Sequence, residues 1–317
     1  MTGDQLKLRV AAIQDIAPTL RLVRFENADA GPLPPSATGA HLQVVLQAPD
    51  KQIRNAYSLI SKPGSRDVYE IIVRRVPASR GGSAYIHEQL KTGDLLTTSW
   101  PGNLFAPQRS ARKHIMIAGG IGITPFLSYV ADFANKGIDY ELHLCCREEE
   151  KDSFAPWLPE PDKVFMHWDA DGHRLDIPAL LLRQPANTHL YVCGPDFLTD
   201  DVLEAAEAGG WPDNHVHCER FGSALSGGEA FRAVLQRSGK QIEVGEHESL
   251  LEAIEREGVE VPCLCRGGAC GVCLTSVLDG EPQHRDHYLS KTERASGKHI
   301  MPCVSRARGG GLLVLDL

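Results

Sequence analysis

Four cysteines, Cys265, Cys270, Cys273 and Cys303, carry the most specific chemical signal in this chain. They follow the pattern C-x4-C-x2-C with a distant fourth member, the spacing of a [2Fe-2S] ligand set. Each iron takes two thiolates from protein, so a short loop has to wrap a small, negatively charged inorganic core. Gly267, Gly268 and Gly271 suit that loop. Without side chains they let the backbone turn tightly and aim N–H groups at sulfur. The competing reading is a structural zinc site, but zinc sites are usually built from two C-x-x-C knuckles, and only one is present here. Cys263 makes a C-x-C with Cys265, yet the four-residue gap fits only Cys265. Cys263 is therefore expected to be a buried neighbour.

The surrounding elements must position these thiols. Residues 233–244 alternate apolar and polar around Ser238-Gly239, which predicts a β-hairpin. Residues 248–258 place Leu250, Leu251 and Ile254 on one helical face and stop at Gly258. A hairpin, a helix, the cysteine loop and a last strand at 311–317 resemble an α+β plant-type ferredoxin (β-grasp) domain.

The middle of the chain carries a nucleotide signal. An apolar strand from His114 to Ala118 runs into Gly119, Gly120 and Gly122, and Pro125 opens a helix. Glycines at a strand-to-helix turn let a pyrophosphate approach the backbone and meet the positive helix end. Further strand-like runs at 139–146, 164–168 and 188–195, with gaps long enough for helices, imply an α/β doubly wound parallel sheet. Acidic residues Glu148 to Glu150 after the second strand suit a free ribose 2'-hydroxyl and favour NADH, while Arg147 beside them argues the other way. A solvated turn is the alternative reading of that acidic run.

The first hundred residues alternate in short runs punctuated by Pro, Gly and Asp, as in a small antiparallel β-barrel. Two segments there suit a flavin: Tyr57 with Ser58, and Arg80, Gly81, Gly82 and Ser83 at a predicted helix start, where backbone amides and an arginine make a phosphate site.

Taken together, Y-S-L and R-G-G-S in the barrel, A-G-G-I-G-I-T-P and C-G-P in the α/β segment, and the C-terminal cysteine loop resemble the phthalate dioxygenase reductase and vanillate demethylase reductase group over nearly the whole chain. The resemblance implies FMN in a barrel at 1–106, NADH in an α/β domain at 107–225, and a [2Fe-2S] ferredoxin at 226–317. It implies single-electron delivery to a Rieske-type oxygenase. It also places Thr124 near the flavin ring, Cys193, with Gly194 and Pro195, near the nicotinamide, and Phe221 over a flavin face. The flavin contacts are drawn from Arg54, Asn55, Ala56, Tyr57, Ser58, Val73 and Arg74. One position departs from the family pattern: the arginine expected two residues before the tyrosine is Asn55, and Arg54 precedes it. Strand residues two apart share a face and those three apart do not, so Arg54 is expected to point away from Tyr57 unless a bulge intervenes. Arg54 through a bulge, Arg74 and Arg80 all remain candidates for the phosphate.

Electron number sets the order of events. Hydride carries two electrons, a [2Fe-2S] centre takes one, and a flavin can exchange either. No side chain is required as a strong acid or base, so His114, His143, His167, His189, His215, His217 and His284 are read as structural or surface groups. A net charge of -8 excludes a nucleic-acid surface. The N-terminus lacks a basic start followed by an apolar run and no stretch is long and apolar enough for a bilayer, so the nine cysteines are expected to stay reduced and not to form a disulfide framework. A cytoplasmic monomer is expected. Residues 222–229 read as a Gly/Ser linker, and Arg266 is expected at the contact with the partner. The alternative to the whole scheme is a flavin reductase with a zinc-binding interaction tail.

Overall fold

Alternating apolar and polar residues write the first six strands: β1 (Gln5–Ala17), β2 (Leu20–Asn27), β3 (His41–Gln47), β4 (Gln52–Ser58), β5 (Tyr69–Arg74) and β6 (Leu95–Ser99). In β1, Leu8 and Val10 are fully buried while Lys7 and Arg9 face solvent, the half-buried pattern of a strand over a core. The six pair antiparallel in the order β4-β3-β6-β1-β2-β5. Just past β4, the Ile60 N–H donates to the Glu70 carbonyl of β5 at 2.9 Å, drawing the two edges of the barrel together. Helix α1 (Gly82–Glu88) packs Ile86 into the barrel core. Arg21 donates to the Ile86 and His87 carbonyls at its C-terminal end, at 3.1 and 2.6 Å. Those carbonyls have no partner within the helix. Asp15 braces the guanidinium with two bonds of 2.7 and 3.0 Å.

This computed structural model describes residues 5–48, 52–77, 81–168, 173–221 and 227–317. Arg80 and the 222–226 part of the expected linker lie outside the described residues. The chain forms two compact units, one running to Phe221 and the other beginning at Gly222.

After the barrel come β7 (Lys113–Gly119), β8 (Tyr140–Cys145), β9 (Val164–His167), β10 (Thr188–Cys193) and β11 (Val216–Glu219), all parallel, in the order β11-β10-β7-β8-β9. Helices α2 (Thr124–Lys136), α3 (Ile177–Leu182) and α4 (Asp196–Ala208) belong to this layer. Every residue of β10 is buried, which is why it reads as a continuous apolar run. Between β8 and β9 the sequence gap holds three short 3-10 turns in place of the expected α-helix. Pro156, Pro159 and Pro161 in that gap remove helical donors and clash with the preceding turn.

Barrel and sheet share one core. Leu20, Leu22, Ile60 and Ile72 of the barrel cluster with Met116, Phe126, Tyr129 and Tyr191. The Tyr129 hydroxyl donates to the Phe105 carbonyl at 2.6 Å, and the Gly39 N–H donates to the Ser128 hydroxyl at 2.9 Å. A Cβ on Gly39 would lie 2.0 Å from the Phe105 carbonyl oxygen, so this seam closes only around glycine.

The second unit has its own core. Strands β12 (Phe231–Leu235), β13 (Lys240–Val244), β14 (Thr275–Asp279), β15 (Pro282–Gln283), β16 (His299–Ile300), β17 (Arg306–Ala307) and β18 (Leu312–Leu315) form a mixed sheet, β13-β12-β18-β14-β16, and a β15-β17 ribbon. Gly239, at a left-handed φ of +67°, closes the β12–β13 hairpin. Helix α5 (Leu250–Arg256) starts in a reciprocal cap: Ser249 accepts from the Glu252 N–H, and the Glu252 carboxylate accepts from the Ser249 N–H. Leu250, Leu251, Ala253 and Ile254 are its buried face. A short helix, α6 (Lys291–Ser296), precedes β16. Among the described residues no helix is long and apolar enough to cross a membrane.

Candidate functional site

The cysteine loop leaves α5 and returns into β14. Its thiols stand as pairs. The Cys273 and Cys303 sulfurs are 3.3 Å apart and both residues are buried, while Cys265 and Cys270, half-buried, hydrogen-bond each other. Two irons with two protein thiolates each require such pairing, whereas one zinc needs four ligands around a point. The Cys265 thiol is drawn down to about 6, first by its bond with Cys270 and then by the N–H groups of Gly267, Ala269 and Cys270. Gly267 N stands 3.4 Å from that sulfur. These donors are the loop amides that the glycine content predicts.

Glycine is obligatory at two places in the loop. Gly268 and Gly271 adopt φ of +75° and +74°. A Cβ on Gly268 would meet Val304 at 2.6 Å, and one on Gly271 would strike the Tyr288 ring at 2.3 Å. Arg266 shares the left-handed conformation at φ +52°. Its side chain is buried and paired with Glu255 of α5, so the expectation that it meets a partner is corrected: it ties the loop to the helix. Cys263 is half-buried, in the same core as Cys273 and Cys303, and hydrogen-bonds to both. It is a neighbour of the ligand set, less buried than expected.

In the barrel, β4 pairs with β3 in unbroken register from His41–Ser58 to Gln47–Gln52. No bulge intervenes, and the Arg54 Nε donates to Gln52 at 2.9 Å. Arg54 thus points away from Tyr57, as the strand period requires. Asn55 takes the near face: its Nδ2 donates to the Tyr57 hydroxyl at 3.2 Å, and a Cβ on Gly82 would lie 2.2 Å from that nitrogen. Gly81 precedes α1 at φ +100°. The Ser83 Oγ accepts from the Val76 N–H at 3.2 Å. Asn55, Tyr57, Gly82 and Ser83 therefore gather in one place, while buried Ser58 ends β4 on its other face. Val73, also buried, accepts through its carbonyl from His87 at 3.0 Å; Ala56 lies on the Arg54 face of β4.

In the parallel sheet the chain reverses its direction of progress between β7 and β10, where ligands of doubly wound sheets bind. The two glycine loops are pressed together there. A Cβ on Gly122 would lie 2.2 Å from the Cys193 carbonyl oxygen, one on Gly119 would lie 2.5 Å from Pro195, and one on Gly194 would lie 2.9 Å from Gly119 N. Thr124 is buried and donates to the Ile121 carbonyl at 3.0 Å. Cys193 is buried, and burial pushes its thiol well up. Phe221 is 40% exposed. The acidic run divides: Arg147, Glu148 and Glu149 are exposed, but Glu150 is buried and holds Arg74 of β5 at 2.8 Å. Arg74 in turn stands 3.3 Å from where a Cβ of Gly120 would be. The solvated-turn reading thus fits Glu148 and Glu149 and fails for Glu150. Nothing local marked that contact, because its partners are 76 residues apart.

A flavin-type barrel fused to a nucleotide-type sheet, followed by a thiol-paired β-grasp domain, defines an electron-transfer oxidoreductase. Residues 7–105 match the family profile of the oxidoreductase FAD-binding domain, and 233–308 match the 2Fe-2S iron-sulfur cluster binding domain. The chain is 48% identical over 98% of its length to the haem-dependent oxidative N-demethylase beta subunit of Ectopseudomonas mendocina, covering 99% of that protein. It is 42% identical over 99% of its length to the carnitine monooxygenase reductase subunit of Escherichia coli, again covering 99% of the relative. The structure of phthalate dioxygenase reductase, described as modular for electron transfer from pyridine nucleotides to [2Fe-2S], superposes with a TM-score of 0.85 at 33% identity, over 99% of this chain and 98% of that one. The chain belongs to this family of flavin and [2Fe-2S] reductases of oxygenase systems. The zinc-tail alternative falls with the match of the cysteine domain to a cluster-binding family.

Proposed function

We propose that this protein takes hydride from NADH onto FMN and passes single electrons through a [2Fe-2S] cluster to a Rieske-type oxygenase. The observation that carries the reading is the pairing of Cys265 with Cys270 and Cys273 with Cys303 in a unit that follows a flavin and nucleotide unit on the same chain. When bound, the flavin supplies the conversion between two-electron and one-electron transfer. The protein's own work is to hold and orient. Asn55, Tyr57, Ser58, Gly82 and Ser83 would receive the FMN, with Arg80 as the arginine for its phosphate. That choice rests on Arg54 bonding Gln52 on the other face of β4 and on Arg74 standing beside Gly120 of the glycine turn. The turn at Gly119, Gly120 and Gly122 with Cys193, Gly194 and Pro195 would receive NADH, and Glu148 or Glu149 would face its ribose. Glu150 is already committed to Arg74. Function as a cytoplasmic monomer completes the proposal.

A second acceptor class has a specific basis. The relative at 48% identity is named for a haem-dependent oxidative N-demethylase, so a haem-bearing oxygenase component is the other acceptor to test. Heat-released flavin should be FMN by mass, and kcat/KM should be higher with NADH than with NADPH. Release of FAD, or a preference for NADPH, would refute the corresponding part. Anaerobic mixing of the NADH-reduced protein with purified Rieske and haem oxygenase components decides the acceptor, since only the true partner should be reduced within the turnover time.

A further inference from the structure

We infer that Arg74, a residue of the flavin barrel, is a positioning residue for the pyrophosphate of the dinucleotide, held over the glycine turn by Glu150. This rests on reading the turn at 119–122 as the nucleotide site, and it moves Arg74 from the candidate flavin-phosphate set to the other cofactor.

Three segments distant in sequence meet here. Arg74 ends β5 in the barrel, Gly120 lies in the turn between β7 and α2, and Glu150 lies in the 3-10 turn after β8. The Arg74 Nη2 donates to the Glu150 carboxylate at 2.8 Å and stands 3.3 Å from the position of a Gly120 Cβ. Any other residue at Gly120 would press on the guanidinium, and its φ of +53° already favours glycine. The glycine thus leaves room for the arginine as well as for a ligand. The Arg74 Nε is buried and has no hydrogen-bond partner among the described residues. An unmet buried donor costs free energy until something accepts from it, and one N–H pointing at Glu150 leaves the rest of the fork for a second acceptor.

Charge selects the class of acceptor. The first turn of α2 holds no acidic residue, and its positive end meets the same glycine turn. Were Glu150 alone beside that turn, it would repel a diphosphate. Paired with Arg74 it becomes the strut that aims a cation at one. A guanidinium suits phosphate oxygens because it offers planar, charge-assisted donors. The proposed flavin-phosphate residues Asn55, Gly82 and Ser83 gather at the start of α1, where Asn55 lies against Gly82 and Ser83 accepts from the Val76 N–H.

The test uses the full-length, flavin-loaded protein with ferricyanide as acceptor. Arg74→Gln should raise the KM for NADH at least ~10-fold, the loss of one charge-assisted bond, with kcat within about twofold and FMN content unchanged. ADP, which carries the diphosphate without the nicotinamide, should inhibit the variant more weakly by a similar factor, while inhibition by adenosine stays the same. Glu150→Gln should shift both constants in the same direction by less. Unchanged KM and ADP inhibition in Arg74→Gln would overturn the inference. Flavin loss with unchanged ADP inhibition would also overturn it and return Arg74 to the FMN phosphate. If Arg74→Gln fails to fold, ADP inhibition of Arg74→Lys and Glu150→Gln decides on the same criterion. Should the wild type oxidise NADPH and not NADH, the donor proposal fails, while the ADP measurement still tests Arg74 because both dinucleotides carry the pyrophosphate.

Discussion

The glycine turn at 119–122 and the cysteine loop at 265–273 are both short, glycine-rich connections, yet they use glycine for opposite ends. In the turn, glycine removes bulk so that two backbones can touch: Gly122 lies against the Cys193 carbonyl and Gly194 against Gly119. The turn has no reactive side chain of its own, and Arg74 of the barrel, paired with Glu150, brings charge beside it. In the loop, glycine lets three thiols and their N–H donors share one short segment, with Cys303 brought in beside Cys273, so most of the chemistry belongs to the loop itself. A site made of backbone depends on its neighbours, whereas a site made of ligands depends on its own residues. Substitutions should therefore act far from the turn and only locally at the loop.

The largest effect is expected from Cys270→Ser. Iron and acid-labile sulfide should be lost, and cytochrome c reduction with them, while NADH-driven ferricyanide reduction persists. Loss of flavin reduction to the same degree would break the comparison. Gly122→Ala should come next. Its new Cβ would meet a carbonyl oxygen at 2.2 Å, and overpacking of a backbone seam that cannot yield costs roughly 3 kcal/mol. It should lower the melting temperature of the first unit and weaken NADH binding, with iron content unchanged.

Acid offers a third probe of the first unit. His143 bonds His167 and His189 bonds His217, each pair at 3.0 Å between ring nitrogens. Such a bond needs one nitrogen to donate and the other to accept, so it fails when both rings are protonated. Burial first of all pushes both His143 and His189 down to about 4. A histidine with a depressed folded value contributes its full stability above its unfolded value near 6.5 and loses it as pH falls toward 4, because the unfolded chain takes the proton first. By pH 5.5 the loss should be on the order of 1 kcal/mol for each of the two. Melting followed by flavin release should show it, and a profile flat from pH 7 to 5.5 would contradict the buried neutral pairs. The smallest effect belongs to Cys263→Ser. As a neighbour of the ligands and not one of them, it should leave iron content whole and change stability by less than about 1 kcal/mol; loss of half the iron or more would make it a ligand.

Most strands and the ferredoxin-like helix were legible because their signals are local. The alternation in β1, the buried run of β10 and the Ser249–Glu252 cap all sit within a few residues of what they determine. Strands β6 and β11 were not foreseen: Leu95–Ser99 and Val216–Glu219 are short, and their apolar content only makes sense beside β1 and β10. The same limit applied to Arg266, whose place in the loop marked it as a contact residue. Glu255, eleven residues back and brought close by the helix, buries it instead.

The sequence by itself pointed to the proposed ligand set, because Cys265, Cys270 and Cys273 are close enough along the chain for spacing alone to suggest a site. It also set the expected face of Arg54 on β4, since the strand repeat of two is a property of the backbone, and the unbroken register in the structure removed the bulge that could have changed it. Only the tertiary structure decided that Asn55 packs on Gly82, that Gly119 and Gly194 abut, and that Arg74 reaches Glu150 over Gly120. Those contacts join segments tens of residues apart. Their geometry is set by the order of strands and the shared core of barrel and sheet, which no local pattern of residues encodes.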